Sequence, residues 1–292
     1  MSEFLILAAG SLWGTMGIFV KQIAAIGFSP VEASALRWIF AALIIFIYAL
    51  IFNRGSLIIK PKDIWKFAFI GVFSTLLMSS LFYISITYTS IAVSDILMYT
   101  SPVWVQIASV IFFKEKLKPK KVVCVLLAFF GCIFVSGIFS AGKITVSGLG
   151  IICGLGAGIS YASYSIAGKY MLKKYSDITL TVYNVIFAGI AAIFTINPCK
   201  LIDKLIIKPM SVIYILAIAI LCTVVPYFLY TVGLKRTEAS RAAIICCIEP
   251  IVATVGSVFI AHEFFSVFQA IGVGLVVLSV VLLQIKNKEE AK

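Results

Sequence analysis

An all-α integral membrane fold of ten transmembrane helices, arranged as two inverted five-helix repeats, is what this 292-residue sequence predicts. Three observations carry the prediction. The composition is too apolar for a water-soluble core. The apolar residues fall into runs of membrane-spanning length. The chain also matches itself at a single ungapped shift.

Hydrophobic residues make up 62% of the chain and charged residues 12%, with a mean hydropathy of +1.13. Soluble domains run about 45–50% apolar and about 25% charged. A charged exterior could not be built over this much apolar surface, so the solvent is lipid. A span takes roughly 20 residues, and ten of them leave only short connections. The net charge is +12. In a soluble chain that would suggest nucleic acid. Here Lys and Arg cluster between apolar runs and report topology, so no nucleic-acid partner is expected. The seven cysteines form no CxxC pattern. They read as small core residues, with no metal site and no cofactor. The first run, Phe4 to Val20, has neither a basic leader nor a cleavage site and reads as a permanent span.

Spans are predicted near 4–20, 32–52, 64–84, 91–113, 121–140, 148–169, 178–196, 210–234, 240–261 and 265–285. Pro30, Pro61, Pro119, Pro198 and Pro209 fall in connections, where proline starts or stops helices. Pro102, Pro226 and Pro250 fall deep in spans four, eight and nine and read as helix breaks. Basic residues set the orientation. The clusters at 54–66, 114–121, 169–174, 235–241 and 286–292 fall on one side, against Lys21, Lys143, Lys200, Lys204 and Lys208 on the other. That asymmetry predicts both termini in the cytoplasm.

At a shift of 148 residues, Lys21 falls on Lys169, Thr75 on Thr223, Thr89 on Thr237, Pro102 on Pro250, Ser109 on Ser257 and Glu115 on Glu263. Trp13 falls on Tyr161, Thr15 on Ser163 and Phe82 on Tyr230. The expected halves are residues 1–142 and 143–292, together one transmembrane domain. Five spans is an odd number, so the second half must enter the membrane from the opposite face. Inverted repeats are a recurrent plan of secondary transporters, with the substrate near the midplane between the halves. Two pseudo-equivalent halves have two near-mirror packings, one open to each side.

The segments LWGTMGIFVK at 12–21, ALRWIFAALII at 35–45, SPVWVQIASVIFFKEKL at 101–117 and IEPIVATVGSVFIAHE at 248–263 give the chain a family likeness. It resembles the drug/metabolite transporter superfamily, in particular its ten-helix EamA-type members, over essentially its whole length. The resemblance implies export or facilitated transport of small metabolites, often amino acids, across a bacterial inner membrane. It also implies a central cavity walled by spans one, three, four, six, eight and nine.

Charges inside spans are costly and are functional candidates by default. Glu32, at the outer end of span two, reads as solvated. Arg37 lies deeper in that span, at a depth similar to Asp95 of span four. The pair reads either as a structural ion pair locking the two spans or as an outer gate that breaks during the cycle. Glu249 is mid-span and directly precedes Pro250, which removes a backbone donor. It reads either as support for the kink or as a carboxylate that binds a substrate ammonium or carries a proton. Trp13 and Tyr161, at equivalent repeat positions, are candidate substrate contacts, as are Phe82, Tyr83, Tyr99 and Tyr227. Such rings hold an apolar or cationic solute through packing and cation–π contacts. The alternative for each is an ordinary lipid-facing or interfacial aromatic. Gly10–Gly14 and Gly154–Gly158 are GxxxG pairs that permit close helix approach. Lys114–Glu115–Lys116 and His262–Glu263 read as solvated helix ends.

An enzyme is not expected, since one His and no paired intramembrane acids leave no catalytic set. The expectation is a secondary transporter of a small metabolite, with an amino acid first and a lipophilic cation or drug second. Arg37 is the one clear intramembrane cation, which disfavours the dianionic substrates of the superfamily's phosphate-carrying members. The expected partners are the small-molecule substrate, the lipid bilayer and, if Glu249 titrates, protons. A monomer suffices, because both repeats lie in one chain.

Overall fold

The computed structural model describes residues 1–140, 147–261 and 264–285. Within these the chain is helix and turn, with no strand. The longer helices follow in order: α1 (Ser2–Ala25), α2 (Val31–Phe52), α3 (64–88), α4 (Ile91–Phe113), α5 (Pro119–Val135), α6 (Gly148–Met171), α7 (Asp177–Ile193), α8 (Met210–Arg236), α9 (Ala239–Ile260) and α10 (Val267–Gln284). All but α5 and α7 are long and apolar enough to cross a membrane, giving 8 such helices. Helices α5 and α7 have 17 residues each and stop short of the runs predicted at 121–140 and 178–196. In α5 the cause is Gly137, whose positive φ of 77° turns the chain although apolar Ile138 and Phe139 follow. A short helix, Pro198–Ile207, lies in the connection before α8, where a loop was expected.

Side-chain caps fix where several helices begin. Ser29 and Glu32 form a capping box on α2, and Ser266 and Gln269 form one on α10. The hydroxyls of Ser90 and Ser176 accept from Val93 N–H and Thr179 N–H at the starts of α4 and α7. Such caps satisfy backbone donors that the first helical turn leaves unpaired.

The helices pack in pairs drawn from opposite halves of the chain. Helix α2 lies along α7, α5 along α10, the end of α3 along α6, and the end of α8 along the start of α1. One contact shows how closely: a Cβ on Gly158 would meet Thr100 Oγ1 at 2.7 Å and Met98 O at 3.1 Å. At the positions 148 residues away, a Cβ on Gly10 would meet Ile248 Cγ2 at 2.7 Å and Cys246 O at 3.5 Å. Small residues are what let helices approach this closely in lipid.

Helical irregularities recur at the same spacing. α3 widens into π-helical turns over Phe69–Leu77 and α8 over Ile220–Val224. In each, a threonine hydroxyl donates to the carbonyl five residues back, Thr75 to Ile70 O and Thr223 to Ile218 O, both at 3.1 Å. α4 is interrupted at Tyr99–Thr100 and α9 at Cys247. Each interruption is followed by a restart with Pro102 or Pro250 in the first turn, where a missing N–H costs nothing.

Most ion pairs gather at one end of the bundle, with the basic clusters. Lys121 pairs with Glu115 at 3.3 Å and Glu238 at 2.7 Å, Arg241 with Glu3 at 2.6 Å, and Lys235 with Asp177 at 3.2 Å. Asp63, in the 3₁₀ turn Pro61–Asp63 ahead of α3, is bound by Lys174, Lys66 and Tyr175. At the opposite end Lys204 pairs with Glu32 at 2.7 Å. Two of the expectations change here. Glu32 is not simply solvated. Glu115 is no solvated helix end: its side chain is only 9% exposed and is bonded to Lys121, Ser240 and Ala239 N–H. The reason is that α9 starts against the end of α4 and needs its first amide and hydroxyl satisfied. His262–Glu263, Lys143, Lys286, Lys288 and Lys292 lie outside the described residues.

Candidate functional site

The interruptions of α1, α4 and α9 converge on the middle of the bundle. In α1 the regular ladder breaks at Thr15, whose hydroxyl turns back to Leu12 O at 2.7 Å. This break is sheltered by α8, through a 3.6 Å contact of Thr15 Oγ1 with Cys222 Sγ. The matching positions in the other half, Ser163 and Ser74, meet at 2.6 Å, and Ser163 turns back to Ser160 O at 2.7 Å.

An aromatic cluster surrounds Trp13. Its ring centroid lies 5.1 Å from Tyr227, 5.5 Å from Tyr230 and 6.3 Å from Tyr161. Tyr227 is in turn 5.5 Å from Trp38 and 5.1 Å from Tyr164. The hydroxyls are satisfied sideways, Tyr164 with Thr231 at 2.9 Å and Tyr230 with Ser165 at 2.6 Å. This leaves Tyr161 to donate to Glu249 Oε2 at 3.4 Å. The T-shaped contacts of Trp13 with Tyr227 and Tyr161 are the arrangement that ring quadrupoles favour.

Glu249 stands where α9 restarts after Cys247. Among the described residues it forms no ion pair with Arg37, whose hydrogen bonds go to Met16 and Ser79. Glu249, Asp95 and Tyr161 are half-buried. Tyr99, at the break in α4, is buried beside the same two acids. Two surface clefts of about 390 and 470 Å³ lie instead at the basic end, lined largely by lysines. They are gaps between loops and are remote from this cluster.

The expected Arg37–Asp95 ion pair is not formed. Helix α2 packs on α7 and α8, whereas the first half of α4 packs on α6, so the two side chains start from helices that are not neighbours. Arg37 instead donates to Met16 Sδ and to Ser79 Oγ at 3.4 Å, and lies 4.6 Å from the Trp38 ring. Phe82 and Tyr83 pack on one another at 6.1 Å on α3, away from the Trp13 rings. Of the predicted contacts, then, Trp13, Tyr161, Tyr227 and Glu249 come together, with Tyr99 and Asp95 adjoining. Trp38, Tyr164 and Tyr230 belong to the cluster and were missed. Tyr164 and Tyr230 each follow a chosen tyrosine by three residues, one helical turn, which was the available signal.

The EamA-like transporter family matches this chain over residues 1–137 and 148–285. The protein is a member of the EamA-like transporter family. Its curated relatives include an uncharacterized transporter of Archaeoglobus fulgidus, 25% identical over 285 residues, covering 97% of this chain and 99% of the relative. YyaM of Bacillus subtilis, also an uncharacterized transporter, is 27% identical over 265 residues, with 87% and 84% covered. A solved crystal structure superposes with a TM-score of 0.80 at 16% identity, covering 97% of this chain and 96% of the other. At that identity the likeness concerns the fold alone. This EamA family member is thus a membrane protein whose relatives are named transporters.

Proposed function

We propose that this EamA-type protein is a secondary transporter that carries a small metabolite, an amino acid first among the classes, across a bacterial inner membrane by alternating access. Its ten helices act as two inverted five-helix repeats, with both termini cytoplasmic. The observation that carries the reading is the exchange of contacts between the halves: Gly10 on α9 against Gly158 on α4, and Thr15 with Cys222 against Ser163 with Ser74. A pair of contacts related in this way is what a pseudo-twofold axis in the membrane plane produces. Such a bundle has a near-mirror alternative packing. In this reading Glu249, with Trp13 and Tyr161 from the opening helices of the two halves, would meet the substrate in both packings. A second reading, efflux of a lipophilic cation, draws on the same rings and the two carboxyls Asp95 and Glu249.

The test is uptake of radiolabelled amino acids into proteoliposomes, with and without an imposed pH gradient. Uptake accelerated by the gradient supports proton-coupled amino-acid transport through Glu249. Gradient-independent uptake makes the protein a facilitator and returns Glu249 to supporting the kink. No amino-acid uptake by folded protein, together with uptake of a lipophilic cation, favours the second reading.

A further inference from the structure

Six cationic side chains and two carboxylates line the cleft of about 390 Å³ at the basic end, where the α4–α5 loop meets the start of α9 and the end of α10. The carboxylates are already engaged. Glu115 and Glu238 both bind Lys121, at 3.3 and 2.7 Å, and Glu115 also accepts from Ser240 and from Ala239 N–H. Arg241 is held by Glu3. Three lysines keep a charge that no carboxylate among the described residues neutralises: Lys114, Lys116 and Lys120. Lys114 and Lys116 are exposed, and Lys120 donates to a backbone carbonyl, Ile285 O. Like charges gathered around one cleft repel each other, so the arrangement gains from an anion that enters it.

The backbone singles out Lys114. At φ 55° and ψ 32° it caps the end of α4 in the left-handed region, the one non-glycine residue with a positive φ among the described residues. A Cβ there crowds the following carbonyl, and glycine is the usual choice. The chain makes that choice at its other left-handed positions, Gly27 and Gly137. At 114 it keeps a lysine instead, and strain kept at one residue points to a task for its side chain. The cleft also has an apolar wall, Phe113, Leu283 and Ile285. Ile285 is itself exposed, as are Phe112 beside Phe113 and Val281 one turn back along α10. Helix α10 is the least buried of the candidate spans, which puts the cleft at the perimeter of the bundle. A phosphate carried on acyl chains uses both the free ammonium groups and the apolar wall, whereas a soluble anion uses only the first. The 470 Å³ cleft at the same end differs, because its lysines are occupied: Lys66 and Lys174 bind Asp63, and Lys173 lies 5.1 Å from the Phe113 ring.

We propose that this cleft binds the phosphate headgroup of an anionic phospholipid, with Lys114, Lys116 and Lys120 holding the headgroup and Phe113, Leu283 and Ile285 meeting the chains. With the basic end cytoplasmic, the site faces the inner leaflet, where basic pockets between transmembrane helices meet acidic headgroups. The bound lipid joins the α4–α5 loop of the first half to α9 and α10 of the second. The site is independent of which solute the protein carries, and of whether it carries one.

The test is thermal unfolding of the purified, delipidated full chain in a neutral detergent, titrated with phosphatidylglycerol or with phosphatidylcholine of the same acyl chains. Native mass spectrometry counts the lipid retained. The wild type is expected to bind phosphatidylglycerol at least about tenfold more tightly, since three basic residues contribute, and to lose the preference as salt is raised. Lys114→Gln, Lys116→Gln and Lys120→Gln are each expected to weaken it about fivefold, the weight of one basic residue near an acidic surface. Lys62→Gln, in the other cleft, is expected to leave it unchanged. Lys114→Gly separates lipid binding from helix capping: it should raise the unfolding temperature of the lipid-free protein and still weaken phosphatidylglycerol binding. Equal binding of the two lipids by the wild type overturns the proposal, a result that needs no variant to fold. So does equal stabilisation by inorganic phosphate alone, which gives the cleft to a soluble anion, or a preference that survives the three glutamine substitutions combined. A preference that emerges only when Glu289 and Glu290 are replaced by Gln would give the cleft to the chain's own acidic residues and overturn it as well.

Discussion

Two acidic residues show how differently a carboxylate is used inside and outside the membrane. Glu249 accepts a hydrogen bond from Tyr161 of the Trp13 cluster, and no such bond ties Asp95 to that cluster. Glu249→Gln should therefore reduce transport about tenfold or more, and Asp95→Asn should reduce it less. Wild-type rates in both variants, measured in proteoliposomes at equal protein, would remove Glu249 from the site. Asp63, by contrast, is a structural anchor outside the spans. Hydrogen bonds from Lys174 above all, then Tyr175 and Lys66, hold its carboxyl well below the usual carboxylate range and push the Lys174 ammonium up. A lowered folded-state pKa gives a contribution that is full above the unfolded value, about 4, and lost as pH falls through the lower folded value. The raised Lys174 value keeps its side of the pair charged up to and above about pH 10. Asp63→Asn should thus lower the unfolding temperature at pH 7 and shrink the loss between pH 5 and acid, as followed by thermal unfolding in detergent. An unchanged pH profile would mean that the cluster contributes nothing. Which side chains meet was only partly legible in the sequence. Glu249, Trp13 and Tyr161 announced themselves by a costly charge and by repeat position. The partner of Arg37 did not, because depth along a span says nothing about which helices are neighbours.

Helices α4 and α9 share a construction: a broken ladder packed against a glycine of a helix from the other half. Gly14 is the tightest case, since a Cβ there would come 2.5 Å from Glu249 O and 2.7 Å from Val252 Cβ. Neither neighbour can give way, one being backbone and the other anchored to it. Gly14→Val should cost on the order of 1–3 kcal/mol or more by overpacking and displace Glu249 with it. Gly17→Ala, facing open space, should be silent in both stability and transport. Thermal unfolding of the two variants checks this, and equal stabilities would show that α1 and α9 separate without strain. The helix breaks were readable from Pro102 and Pro250, because a missing donor inside an apolar run has a fixed consequence. The π-helical turns were not, because Thr75 and Thr223 look like any buried threonine until their hydroxyls are seen reaching five residues back. Gly137 ended α5 early for a similar reason, since hydropathy does not record backbone handedness.

Across the whole molecule, the membrane class and helix positions were legible because lipid imposes length and apolarity on every span. The 148-residue shift anticipated paired features that the helices then display, from hydroxyl back-bonds to interruptions. The asymmetry between the two ends was half-visible: the basic clusters mark one end, but their assembly into a lattice of Glu115, Lys121, Glu238, Arg241 and Glu3 needed the fold. That lattice ties α1, α4, α5 and α9 together at the basic end, and the opposite end has the Glu32–Lys204 pair at the mouth of α2. On the transporter reading proposed above, these ties hold the bundle closed at the basic end. A carrier also makes a demand that a pore or a scaffold does not: solute on one side must speed the passage of solute from the other. Counterflow measures this directly, with proteoliposomes loaded with unlabelled amino acids, diluted into trace label and no ion gradient. The account predicts a transient accumulation of label above equilibrium for at least one amino acid, abolished in Glu249→Gln. Label that rises only to equilibrium, at a rate independent of internal load, would contradict it.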